Sequence, residues 1–165
     1  MMLPLFFAFS AIVIRLALFY LGYENQDSAR YLILMHILLI LLSVFFSALN
    51  HAKANPDKRH FTNHLKIGFK GGSVYTIIIT GFLMLFYKVI NEDTFTAKRE
   101  FLIAQQIEAG GANLDESAIE AVRTNIESFF TVFNYCTITF IGFLVITFMY
   151  SAGVALLLRF MQRNS

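Results

Sequence analysis

Apolar residues fall into four long blocks separated by polar stretches, not into the alternating or short amphipathic runs of soluble elements. The blocks span about 3–23, 31–49, 67–90 and 129–158. The third gives the clearest pattern. It opens with Lys66, Lys70 and the cluster Gly68, Gly71 and Gly72, and closes on Lys88 and Asn91 before the acidic pair Glu92–Asp93. From Ile67 to Ile90, at about 1.5 Å per residue, it is long enough to cross a hydrocarbon core of roughly 30 Å.

The first block is interrupted by Arg15, lacks a basic leader and is not followed by a small-x-small cleavage site, so it reads as an uncleaved helix. The turn at 24–30 is short enough to make spans one and two an antiparallel hairpin. Asn50 to Lys66 is a polar connection, with Pro56–Asp57 as its turn signal. Residues 91–128 are hydrophilic and read as two amphipathic helices around a break. The first covers 96–109, with Phe101, Ile103, Ala104 and Ile107 along it, and stops at Gly110–Gly111. The second begins near Asp115 or at Ser117, which has capping-box spacing to Glu120. Its stripe of Ile119, Val122, Ile126 and Phe129–Phe130 is expected to run unbroken into span four.

Composition supports this pattern. The chain has 165 residues, 57% hydrophobic and only 15% charged, with a mean hydropathy of +0.62. The expected fold is all-α, a single membrane domain over 1–165 with four transmembrane helices and an extracytoplasmic amphipathic pair at 91–128 between spans three and four. Charge sets the orientation. Residues 50–70 carry a net +4 and the tail carries Arg159 and Arg163, whereas residues 91–128 carry a net −5. Cytoplasmic loops accumulate Lys and Arg, so both termini and the 50–70 loop are expected inside and the acidic pair outside.

The run from Phe61 to Phe95 resembles the signature of the domain of unknown function 4199 family, four-span membrane proteins found mainly in Bacteroidota. Lys66-Ile67-Gly68-Phe69 and Val89-Ile90-Asn91 are the matching positions. The family continues Asn-Pro-Asp, where this chain has Asn91-Glu92-Asp93. The four-span layout with a helical insertion before the last span also fits. The resemblance implies a bacterial inner membrane and supplies no activity, cofactor or catalytic residue.

Candidate chemistry is sparse. Arg15 lies within a span, where a charge costs about 2.5–3.5 kcal/mol on insertion scales and faces protein or water. It shares a helical face with Ala8, Ala11 and Gly22. A simple hairpin puts it at the depth of His36, which begins a polar stripe with Ser43, Ser47 and Asn50. Arg15, His36, Ser43 and Ser47 are therefore the candidate ligand-binding residues. The competing expectation is that Arg15 snorkels to the interface. Gly68, Gly72, Thr76 and Thr80 recur every four residues and form a small-residue packing face, either within the chain or toward a partner. His60 and His64 have helical metal-pair spacing, but no convincing ligand set completes them. The lone Cys136 forms no internal disulfide. No nucleophile, Walker or zincin motif occurs. The expected function is thus a non-enzymatic accessory or scaffold protein, without catalytic residues, metal or cofactor. Its partners are the lipid bilayer and a membrane protein or second copy, and not nucleic acid. A small transporter or lipid-binding protein centred on Arg15 and His36 is the alternative.

Overall fold

The computed structural model describes residues 2–23, 26–55, 60–110 and 115–163. Among them every regular element is helical: α1 (Met2–Tyr20), α2 (Gln26–Ala54), α3 (Phe61–Leu85), a π-helical turn (Phe86–Ile90), α4 (Glu92–Ala109), α5 (Glu116–Phe129) and α6 (Val132–Arg163). Four stretches are long and apolar enough to cross a membrane: Met2–Tyr20, Arg30–Ala54, Phe61–Ile90 and Val132–Met161. Their surfaces are inverted relative to a soluble bundle. Phe6, Leu34, Ile77 and Phe148 are exposed, while Arg15, His36, Ser43, Thr76, Thr147 and Ser151 are buried. Lipid is the solvent that makes this pattern favourable, because apolar helix faces lose nothing in hydrocarbon whereas polar groups must find partners inside. The chain is a multi-pass membrane protein.

Several boundaries differ from the sequence expectation. Span one ends at Tyr20, not residue 23. Gly22, at φ +73°, adopts the left-handed conformation, and Tyr23 N–H donates to the Leu18 carbonyl (2.9 Å) and Gly22 N–H to that of Phe19 (3.0 Å). This Schellman closure takes Gly22 off the helix face on which Ala8, Ala11 and Arg15 lie buried. The polar connection after span two is shorter than expected, because α2 continues to Ala54 and α3 already begins at Phe61. Helical hydrogen bonding does not stop where the apolar run stops. The Pro56–Asp57 turn signal lies outside the described residues.

The chain forms two compact units, residues 1–79 with 140–165 and residues 80–139. Unit 1 contains α1, α2, the first part of α3 and the last part of α6. Its core is a seam of small residues. At Gly71 an added Cβ would collide with the Ser47 hydroxyl and lie 2.6 Å from Ser47 Cβ, and at Gly72 it would lie 2.5 Å from Thr147 Cγ2 and 2.8 Å from Val44 Cγ2. Only glycine lets α3 approach α2 and α6 this closely.

Unit 2 contains the end of α3, the π turn, α4, α5 and the start of α6. Asn91 N–H donates to the Phe86 carbonyl at 2.8 Å, the five-residue step that defines the π turn. Helix α4 starts at Glu92, four residues before the expected 96, because Asn91 leaves helical geometry (φ −136°, ψ 50°) and Glu92 and Asp93 suit a helix N-terminus. Its inward side carries Phe95 and Ile103, while Phe101 and Ala104 are exposed and Ile107 is half-buried. Asp115 is the cap of α5, accepting from Ala118 N–H at 2.8 Å, and Ser117 instead donates its hydroxyl to that carboxylate. The expected continuous helix into span four is interrupted. Phe130 (ψ 66°) leaves helical space, Thr131 Oγ1 accepts from Asn134 N–H, and the Asn134 side chain donates to the Phe129 carbonyl at 2.8 Å. Span four therefore starts at Val132 rather than 129. The corner is packed by aromatic rings: Phe95 stacks on Phe130 (4.9 Å, 10°), and Tyr87 meets Tyr135 edge-on at 5.5 Å.

Candidate functional site

The buried polar groups of unit 1 form the most distinctive chemistry inside the spans. Helix α1 turns Arg15 inward beside Ala8 and Ala11, leaving it 6% exposed. The inward direction follows from the two alanines, whose small side chains let another helix come near on that side of α1. His36, on α2, is 4% exposed. Both residues therefore lie inside unit 1, and Arg15 faces protein rather than snorkelling outward.

Tyr75 completes the cluster, and sequence reasoning missed it. Its hydroxyl lies 2.7 Å from His36 Nδ1, and the Phe143 ring packs 5.7 Å from the imidazole. The signal was present, since Tyr75 lies four residues after Gly71 on the close-packed face of α3. A residue there had to sit in the interior, and a tyrosine in the interior needs a partner for its hydroxyl. The His36–Tyr75 bond occupies one ring nitrogen. The other, Nε2, is buried with no hydrogen-bond partner among the described residues, as is Ser43 Oγ. In a neutral imidazole one nitrogen donates and the other accepts, so either tautomer leaves one polar valence unfilled. Such a group costs about 1–3 kcal/mol if it stays unpartnered.

The other expected residues lie elsewhere. Ser47 is half-buried against Gly71, and Asn50 is exposed at the rim of a cavity of about 480 Å³ that also takes in His51 and Lys70. The α2 stripe therefore splits into two buried members and two toward one end. Gly68 and Gly72 back onto Val44, Ser151 and Thr147, and the Thr76 and Thr147 hydroxyls meet at 3.4 Å, with Ser151 bonding the Thr147 carbonyl at 2.7 Å. Thr147 and Ser151 were not foreseen, although their four-residue spacing matches that of the α3 stripe they face. Thr80, the last member of that stripe, is half-buried in unit 2. His60 is exposed while His64 is fully buried, so the pair does not share an environment. Among the described residues no cluster of three His, Cys, Asp or Glu could hold a metal ion.

Over residues 5–159 the sequence matches the family described as Protein of unknown function (DUF4199). The chain belongs to this family. No curated protein and no solved structure matches it. The DUF4199 match runs through all four spans and the α4–α5 insertion, so the polar cluster of unit 1 and the aromatic corner of unit 2 both lie within the family's extent.

Proposed function

We propose that this DUF4199 protein is a non-enzymatic accessory or scaffold protein of a bacterial inner membrane. Its termini are cytoplasmic and its α4–α5 pair is presented on the outer face as a contact surface for a membrane-protein partner or a second copy. The observation that carries this reading is the α5 stripe. Ile119, Val122 and Ile126 are only half-buried, Phe129 is exposed, and no residue of α5 is fully buried within the chain. An amphipathic helix held to its neighbour by weak, half-exposed Arg123–Glu100 pairing (3.5 Å) leaves apolar surface for a further contact. The basic 50–70 loop against the acidic 91–128 segment supports the orientation. The test is a gentle-detergent pull-down of the tagged chain from its own membranes, followed by native mass determination. A stoichiometric second protein or second copy, lost on Ile126→Glu, is expected. A lone monomer throughout overturns the reading.

A second reading is favoured by the unfilled Nε2 of His36 and hydroxyl of Ser43: a small transporter or ligand-binding protein with its polar site at Arg15, His36 and Tyr75. Under it, Arg15→Leu keeps expression and thermal stability near wild type while abolishing the phenotype. Wholesale loss of the protein assigns Arg15 to structure instead.

A further inference from the structure

Unit 2 holds a cavity of about 510 Å³ where span ends meet the extramembrane helices. One wall is Tyr87 and Lys88 of the π turn with Phe133 from the first turn of α6, and the other is Glu92, Phe95 and Arg99 of α4. Lys88 and Phe133 are span-terminal residues, while α4 lies beyond the apolar run, so the cavity sits at the depth of lipid headgroups.

Its charges are unusual. Lys88, Arg99 and Glu92 share one cavity, yet no ion pair joins them to one another or to any other described residue. Arg123, only one helix away, is paired with both Glu100 and Glu127. The Nε of Arg99 is buried with no hydrogen-bond partner among the described residues. Helix geometry keeps the two α4 charges apart, because Glu92 and Arg99 stand seven residues, or about 10 Å, from each other along the axis. Tyr87 and Phe95 pack 5.5 Å from each other and are backed by Tyr135 and Phe130, which makes the floor of the cavity a packed aromatic cluster. What remains is a preformed space with cationic and anionic groups, neither satisfied by the other.

We propose that this cavity binds a phosphoethanolamine group, the headgroup of a zwitterionic phospholipid. Arg99 and Lys88 take the phosphate and Glu92 takes the ammonium, each a charge-assisted contact. Exposed Phe133, in the first turn of span four, gives the acyl chains an apolar path into the bilayer. A headgroup with phosphate alone meets the two cations but leaves Glu92 facing a second anion, so the cavity discriminates phosphatidylethanolamine from phosphatidylglycerol. The proposal needs neither a protein partner nor a particular orientation in the membrane.

The test uses the full-length protein in mild detergent with equimolar phosphatidylethanolamine and phosphatidylglycerol, bound lipid being read by native mass spectrometry and folding by thermal melting. Wild type is expected to retain phosphatidylethanolamine preferentially. Arg99→Gln and Lys88→Gln are each expected to weaken that retention about tenfold, the loss of one charge-assisted hydrogen bond. Glu92→Gln, at an exposed position, is expected to keep the fold and erase the preference between the two lipids. Soluble glycerophosphoethanolamine separates the sources: competition shows that a free ester suffices, and its absence shows that the site needs the lipid. Equal retention of both lipids by wild type, or unchanged preference in Glu92→Gln, overturns the proposal.

Discussion

Substituting Gly71 tests the close approach on which unit 1 depends. Adding one methyl group there puts a carbon into the Ser47 hydroxyl, 2.6 Å from Ser47 Cβ and 2.9 Å from the Ser43 carbonyl oxygen. A side chain can rotate away, but the carbonyl belongs to the backbone of α2 and moves only if the helix moves. Overpacking of this kind costs about 1–3 kcal/mol, and a backbone contact argues for the upper end. Alanine returns at most about 1 kcal/mol of helix propensity, so the net loss is about 2 kcal/mol. Gly81 lies on the same helix, and a methyl group added there would meet nothing within 4 Å, so Gly81→Ala keeps only the gain. The same atom added at two positions should therefore differ by about 3 kcal/mol. Thermal melting in detergent, followed by circular dichroism, reads the difference. Ser47→Gly in the Gly71→Ala background should recover part of the loss, since it removes two of the three collisions and leaves the carbonyl. If Gly71→Ala melts no lower than Gly81→Ala, α2 and α3 do not approach as described.

Tyr75→Phe removes the hydroxyl from His36 Nδ1 and should cost about 1–3 kcal/mol, while His36→Leu combined with it should cost clearly less than the two separate losses added; additive melting shifts would deny the bond. Asp115→Ala deletes the cap of α5 and should lower its stability by about 1 kcal/mol, seen as faster amide exchange confined to 116–129. In a Cys136→Ala background, a cysteine at exposed Ser117 should react with an impermeant thiol reagent in intact spheroplasts and one at exposed Lys53 should not; the reverse pattern would invert the orientation.

Four spans, the approximate ends of each and the two helices between spans three and four were legible because hydrocarbon imposes a one-dimensional rule. Some twenty apolar residues must follow one another regardless of what packs beside them. Arg15 and His36 stood out for the same reason, since a polar group in such a run is conspicuous without knowledge of its partner. Partners were not legible. Tyr75, Thr147 and Ser151 look unremarkable in their own segments, and become members of a polar interior only when Gly71 and Gly72 let three helices approach. The Schellman turn at Gly22, the π turn at Phe86–Ile90 and the break at Phe130–Thr131 also escaped the pattern. Hydrophobic periodicity continues across each of them, and whether a helix ends there depends on a few backbone hydrogen bonds and on ring packing between Phe95, Phe130 and Tyr135. The sequence by itself determined that this chain resides in lipid and which residues are costly there. Tertiary structure decided which polar groups find partners inside the chain and which, such as His36 Nε2 and Arg99 Nε, are buried with none among the described residues.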